Sequence, residues 1–238
     1  KRYVGALAVG DDGYLRMTTL RRSEQVLDVP VVHPDKARTP SPGVDVAAFR
    51  LREREEPDDP GGFLTSDCRG NLRRIHAEFE SKHKLHLRLG CEPEMMWLKL
   101  GPDGKPSVEG VTKPYCYHID QFSELQPIIN KVVEYGQKLG LDMIQGDHED
   151  APGQIELNFN FDRAERTADN LSTFRQVCRQ VGRELGAFPC FMPKPFMGVS
   201  ANGCHHNISL WRGERNEFMP RGKDKQKPSQ LGLYAIGG

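Results

Sequence analysis

Glu92 and Glu94 flank a proline in LHLRLGCEPEMMWLKL (85–100), a run that reads as a strand with Leu85, Leu87 and Leu89 on one face. Side chains two apart on an extended chain point the same way, so both carboxylates converge on one side. Pro93 donates no backbone N–H, which restricts its strand to an edge or irregular position. An isolated acid pair of this kind is ordinarily solvated. The second constellation is HEDAPGQIELN (148–158), where Glu149 precedes a Pro152-Gly153 turn and Glu156 stands on the polar face of the next strand. A hairpin there would bring the two acids near each other. Solvent exposure would also account for the polar face formed by Gln154, Glu156, Asn158 and Asn160.

The third constellation is NGCHHNISLW (202–211): Asn202-Gly203 reads as a tight turn, after which His205, Asn207 and Ser209 alternate with His206, Ile208 and Leu210. A lone strand histidine is commonly a structural hydrogen-bonder. His205 gains meaning only if the acids share its neighbourhood. Together, Glu92, Glu94, Glu149, Glu156 and His205 suit hard divalent cations such as Mg²⁺ or Mn²⁺, which prefer oxygen ligands and leave room for water and phosphate oxygens. Four acids around one ion would leave excess negative charge, so two or more cations are expected. Clustered divalent metals beside a nucleotide point to phosphoryl transfer.

The elements that must position these residues follow from periodicity. NLRRIHAEFESKHK (71–84) spaces Leu72, Ile75 and Phe79 as a helix does. Residues 121–140 read as a helix ending at Gly140, with Pro127 in its early turns, and LDMIQ as the strand after it. QIELNFNF (154–161) alternates most cleanly, with Ile155, Leu157, Phe159 and Phe161 facing one way. AERTADNLSTFRQVCRQVGRELG (164–186) is a long amphipathic helix stopped by Gly186. Strands follow around AFPCFMPKP and GCHHNISLW, and RGERNEFMPRGKDKQKPSQ (212–230) reads as a polar loop with solvated charges. Residues 1–66 are dense in turn signals (DDG at 11–13, HPDKARTPSPG at 33–43, EEPDDPGG at 55–62), and YVGALAVG and YLRMTTL suggest two strands joined at Asp12-Gly13. The expected organisation is a small loop-rich β module over 1–66 and an α+β catalytic domain over 67–238.

Composition narrows the function classes. The chain has 238 residues, with 33 Lys plus Arg balancing 33 Asp plus Glu, so no electrostatic excess favours nucleic acid or an anionic membrane. A small-molecule partner is the better default. No apolar run approaches the roughly 20 residues that cross a bilayer, and a soluble cytoplasmic protein is expected. Six widely spaced cysteines without a CxxC pair indicate reduced thiols.

Three segments in this order, EPE (92–94), HEDAPGQIE (148–156) and FMPKPFMGVSANGCHHNISLW (191–211), resemble glutamine synthetases, and the resemblance runs through about residues 67–238. Their form is closer to the branch called type III glutamine synthetase and γ-glutamylmethylamide synthetase than to the standard ammonia enzyme. The resemblance implies an N-terminal β-grasp module and a catalytic half-barrel of antiparallel strands backed by helices. It implies Glu94, Glu149 and Glu156 as ligands of the metal supporting glutamate and the developing phosphate. Glu92 and His205 would hold a second metal on the ATP phosphates; Gly203 would line the glutamate site, and Phe161, Asn207 and Ser209 would lie near ATP. The implied activity is ATP-dependent ligation of L-glutamate to ammonia or a primary amine, in homo-oligomeric rings of six or twelve subunits.

This sequence also departs from the family. Asn207 stands where a second histidine is usual, and no match to the family's ammonium-deprotonating aspartate loop is found in 1–66. That absence tilts the expectation toward a substituted amine, with ordinary glutamine synthetase as the nearest alternative and a non-catalytic scaffold as a rival of another class. Clustered carboxylates that repel one another without metal argue against a scaffold. The sequence given stops at QLGLYAIGG, where relatives continue into another metal-binding glutamate, glutamate- and phosphate-gripping arginines and a flap.

Overall fold

The computed structural model describes residues 67–237 apart from 109–115, 118 and 222–226, together with six short strands within residues 1–66. Those strands are β1 (Ala6–Val9), β2 (Tyr14–Thr18), β3 (Leu27–Pro30), β4 (Arg50–Leu51), β5 (Glu55–Glu56) and β6 (Asp59–Phe63). The first four pair antiparallel in chain order and the last two pair with each other. The expected first hairpin is present, with Val9 opposite Leu15. Its Asp12-Gly13 turn and the 33–43 segment lie outside the described residues.

Helix α1 (Cys68–His83) starts where the Asp67 carboxylate accepts the Gly70 N–H at 2.7 Å, satisfying one of the amides that a helix start leaves without a partner. It leads into β7 (His86–Leu100), a 15-residue strand that organises the rest of the chain. Short β8 (Pro106–Ser107), α2 (Ile119–Lys138), β9 (Met143–His148), β10 (Gln154–Phe159), β11 (Asp162–Arg163), α3 (Ala164–Leu185), β12 (Ala187–Cys190), β13 (Cys204–Arg212), β14 (Arg215–Asn216) and α4 (Gln230–Gly237) follow. β7 pairs antiparallel with β8, β10, β11, β12 and β13 along its length, giving a sheet with the order β14-β13-β7-β10-β9 at its centre. This is an antiparallel half-barrel backed by helices. Among the described residues no helix is long and apolar enough to cross a membrane.

Alternation assigns the two faces of the sheet. Cys91, Met95 and Trp97 of β7 and Ile155, Leu157 and Phe159 of β10 are buried with Ile129 and Val132 of α2 and Phe174, Val177 and Val181 of α3. That face is the core, and the other face of the same two strands carries Glu92, Glu94 and Glu156. Core packing therefore fixes where the acids point, because a slip of one residue would turn every side chain to the wrong face.

Two local expectations are corrected. Pro127 lies nine residues into α2, whose first turn begins at Ile119. The helix tolerates it because Pro127 and Ser123, whose carbonyl loses its partner, are both exposed to water. The 212–230 segment is not merely solvated loop: β14 pairs with β13 through Trp211↔Asn216, and Glu217 is buried among Arg212, Arg215 and Arg221. Hydrogen bonds from Arg215 and Arg221 hold the Glu217 carboxyl down to about 2. A lowered carboxyl contributes stability that is present above its unfolded value and is lost as pH falls through the folded value. Glu217→Gln is therefore expected to flatten the loss of thermal stability between pH 4.5 and pH 2 relative to the parent protein. An unchanged acid profile in a pH series of melting curves would contradict this.

Candidate functional site

Register brings the acids together. Glu156 on β10 is the direct cross-strand partner of Glu94 on β7 and of Asp147 on β9, so three carboxylates stand in a row across one face of the sheet. Like charges directly opposite one another destabilise a sheet. Glu149 begins the turn after β9, and its N–H donates to the Gln154 carbonyl at 3.0 Å. Burial raises the Glu149 carboxyl above its ordinary value, with further upward pushes from Glu94, Glu156, Asp147 and Asp150. Burial likewise raises Glu156, opposed by the Asn158 hydrogen bond and reinforced by Glu92, Glu94 and Asp147.

On the other side of β7, His205 is the cross-strand partner of Glu92. His205 Nδ1 lies 3.2 Å from Glu92 Oε2, and Asn207 Nδ2 donates to Glu92 Oε1 at 2.7 Å. Asn207 thus holds a carboxylate through its amide. His205 and Glu92 meet at hydrogen-bond distance, and an imidazole beside a carboxylate is a donor pair that a divalent cation could take in place of that contact. Among the described residues no group of three or more His, Cys, Asp or Glu side chains is by itself arranged to hold a metal ion. The acids share a face without closing into a cage.

An open pocket of about 340 Å³ adjoins Glu92 and is lined by Asn158, Phe161, Asn207, Ser209 and Trp211 among others. Phe161 does not continue the core face of β10. The strand ends at Phe159 after a register shift at Asn158, and Phe161 stacks on Trp211 with ring centroids 5.8 Å apart, while the Arg88 guanidinium lies 4.2 Å over the indole. Asn158 is buried, and its Oδ1 has no partner even though its Nδ2 donates to Glu156 Oε1 at 2.7 Å. An unmet buried acceptor beside carboxylates and an aromatic wall favours a polar ligand with donors, metal-bound water included.

Asn202-Gly203 does not form the expected tight turn. The segment enters β13 without a turn, anchored by the Asn202 N–H to the Pro193 carbonyl at 2.7 Å. The backbone passes close to Glu94 at 203: a Cβ there would stand 2.6 Å from Glu94 Oε1, so the carboxylate would have to move.

Periodicity did not single out several residues that the structure brings to the site. Asp147 lies just beyond the strand read as LDMIQ. Tyr117 holds φ 61 and donates its N–H to the His148 carbonyl at 2.8 Å, and the Glu149 charge raises its hydroxyl. A bulky residue in the left-handed region stores strain, which only a residue-by-residue backbone trace reveals. The polar face of β10 is also not solvated, since Gln154, Glu156 and Asn158 are all buried.

The family model described as "Glutamine synthetase, catalytic domain" matches residues 65–238. Glutamine synthetase of Rhizobium meliloti (strain 1021) is 37% identical over 171 residues, covering 70% of this chain and 37% of that protein. Glutamine synthetase of Rhizobium leguminosarum bv. phaseoli is 36% identical over 227 residues, covering 89% of this chain and 48% of that protein. A solved structure described as a "GmaS/ADP complex" is 30% identical with a TM-score of 0.64, covering 75% of this chain and 40% of that chain. This chain therefore spans less than half the length of each.

Proposed function

Because this chain belongs to the glutamine synthetase family, we propose that the protein carrying it is an ATP-dependent ligase joining the γ-carboxylate of L-glutamate to an amine through γ-glutamyl phosphate. The observation that carries this reading is the shared sheet face on which Glu94, Glu156 and the Glu92–His205 pair meet beside a pocket with an aromatic wall. Glu94, Glu149 and Glu156 would hold one divalent cation and Glu92 with His205 a second, Mg²⁺ or Mn²⁺. Such cations, when bound, neutralise phosphate charge. Burial, and after it the neighbouring carboxylates, disfavours the charged forms of Glu149 and Glu156, and a bound cation would oppose both effects.

A carboxylate is a poor electrophile, and an amine cannot displace oxide from it. The glutamate γ-carboxylate oxygen first attacks the γ-phosphorus of ATP, forming the acyl phosphate and releasing ADP. The amine nitrogen then attacks the acyl carbon, expelling phosphate and losing a proton. Phe161 and Trp211 offer an aromatic wall for the nucleotide base, with Ser209 at its edge; Asn207 acts on Glu92, and Gly203 borders the glutamate side. Water must be kept from the intermediate, which otherwise hydrolyses.

The likeness to the GmaS structures supports an acceptor larger than ammonia, and ordinary glutamine synthetase activity is the alternative. Assembly is a homo-oligomeric ring, hexamer or dodecamer, in which the 1–66 module of one subunit borders the Glu92/Glu94 site of the next. The test is phosphate release dependent on both ATP and glutamate, screened across ammonia, alkylamines, polyamines and anilines with the protein bearing whatever sequence flanks this chain in the cell. Turnover with an alkylamine exceeding that with ammonia is expected. Preference for ammonia selects the alternative, and no release with any amine, together with no tight Mn²⁺ site, would point to a scaffold.

A further inference from the structure

Gln154 opens β10 and is almost wholly buried, at 1% exposure, yet its side chain meets four polar partners. Its Oε1 accepts the Ala151 N–H at 2.9 Å. Its Nε2 lies 2.8 Å from Glu94 Oε2, 2.9 Å from the Ala201 carbonyl and 3.0 Å from Asn202 Oδ1. The amide orientation is therefore determined, because the flipped form would set a carbonyl oxygen against three acceptors and a donor against the Ala151 N–H. Asn202 is fixed in turn, its Nδ2 donating to the carbonyls of Cys190 and Met192 at 3.0 and 2.8 Å.

Glu94 feels the consequence. Its Oε2 accepts from both Gln154 Nε2 and the Gly203 N–H, the latter at 2.9 Å, whereas its Oε1 sits 2.6 Å from where a Gly203 Cβ would stand. Two donors converge on Oε2, and neither of them meets Oε1. We propose that Gln154 is a positioning residue for the ligase reaction: it holds Glu94 so that Oε1 alone is presented to a divalent cation, and it ties that acid to the 201–203 segment. This rests on the ligase reading above, and Gln154 touches neither glutamate nor nucleotide in it. An orienting partner of a metal-ligating carboxylate is typically worth 10–100-fold in metal affinity.

The test is Mn²⁺ binding, followed by electron paramagnetic resonance and calorimetry, in the parent protein, Gln154→Met, Gln154→Glu, Glu94→Ala and the Gln154→Met/Glu94→Ala double variant. Both Gln154 variants are expected to weaken Mn²⁺ about 10–100-fold. Added to Glu94→Ala, Gln154→Met is expected to cost nothing further, because its effect runs through Glu94. Unchanged affinity in the Gln154 variants, or losses that add in the double variant, would overturn the proposal. A crystal structure of the parent with Mn²⁺ decides the matter even if the variants fold poorly: Glu94 is expected to ligate through Oε1 with Oε2 still on Gln154, and a bidentate Glu94 overturns it. A parent that binds no Mn²⁺ overturns both this inference and the ligase reading. A parent that binds Mn²⁺ through Glu94 yet ignores Gln154 overturns this inference alone.

Discussion

Glu156→Ala is expected to abolish formation of γ-glutamyl phosphate, with ATP- and glutamate-dependent phosphate release falling by more than about 100-fold, since a first ligand outweighs the orienting partners of a metal site. Glu156 stands between Glu94 and Asp147 in the carboxylate row, so no single neighbour can replace its oxygen without leaving its own strand position. Glu156→Gln separates the metal role from the fold. It keeps the side-chain length and an oxygen for Asn158 Nδ2, which now lies 2.7 Å from Glu156 Oε1. It also removes a charge that burial and three neighbouring acids oppose. A carboxyl raised in the folded state costs stability to the extent that it is ionised, so removing the charge spares the fold that cost. Metal-free Glu156→Gln should therefore melt no lower than the parent protein while losing Mn²⁺ binding and turnover. Retained turnover in either variant, measured by single-turnover acyl-phosphate trapping, would remove Glu156 from the ligand set.

Gly203→Ala should be nearly as damaging, for a steric reason. The added Cβ would stand 2.6 Å from Glu94 Oε1, 3.3 Å from Glu94 Cδ and 3.4 Å from His205 Nε2. A Cβ is rigid on the backbone, so the carboxylate must yield. Rotating it forfeits hydrogen bonds from the Gly203 N–H and Gln154 Nε2, and shifting the backbone instead strains the Glu94 N–H to Gly203 carbonyl bond at 3.1 Å. Overpacking of this kind costs about 1–3 kcal/mol of stability. Because the atom displaced is the free oxygen of Glu94, the larger effect falls on the metal: a loss of Mn²⁺ affinity on the order of 100-fold is expected. Wild-type affinity in Gly203→Ala, measured by calorimetry on protein shown to be folded, would mean that Glu94 is not held where the structure places it.

The amino-acid sequence by itself determined the local elements and the direction of their side chains. Two-residue alternation set Glu92 and Glu94 on one face of β7 and Ile155, Leu157 and Phe159 on the opposite face of β10 from Glu156, because extended backbone leaves no other choice. Pro152-Gly153 marked the turn joining β9 to β10, where Gly153 adopts φ 67, and Gly186 closed α3 in the left-handed region at the same φ. Only the tertiary structure decided which strands lie beside β7. Nothing local states that Glu156 will face Glu94, 62 positions away, or that His205 will face Glu92 across 113, since register is set by the fit of Met95, Trp97 and Ile155 against α2 and α3. Burial was equally invisible from alternation, which reports that Gln154, Glu156 and Asn158 share a face but not that the face is covered. The same holds for Glu217, whose acid sits inside a cluster of arginines that the charge pattern alone leaves in solvent. Periodicity is a property of neighbours in the chain, whereas the orientation of Glu94 by Gln154 and Gly203 comes from segments 60 and 109 residues apart meeting at one oxygen atom.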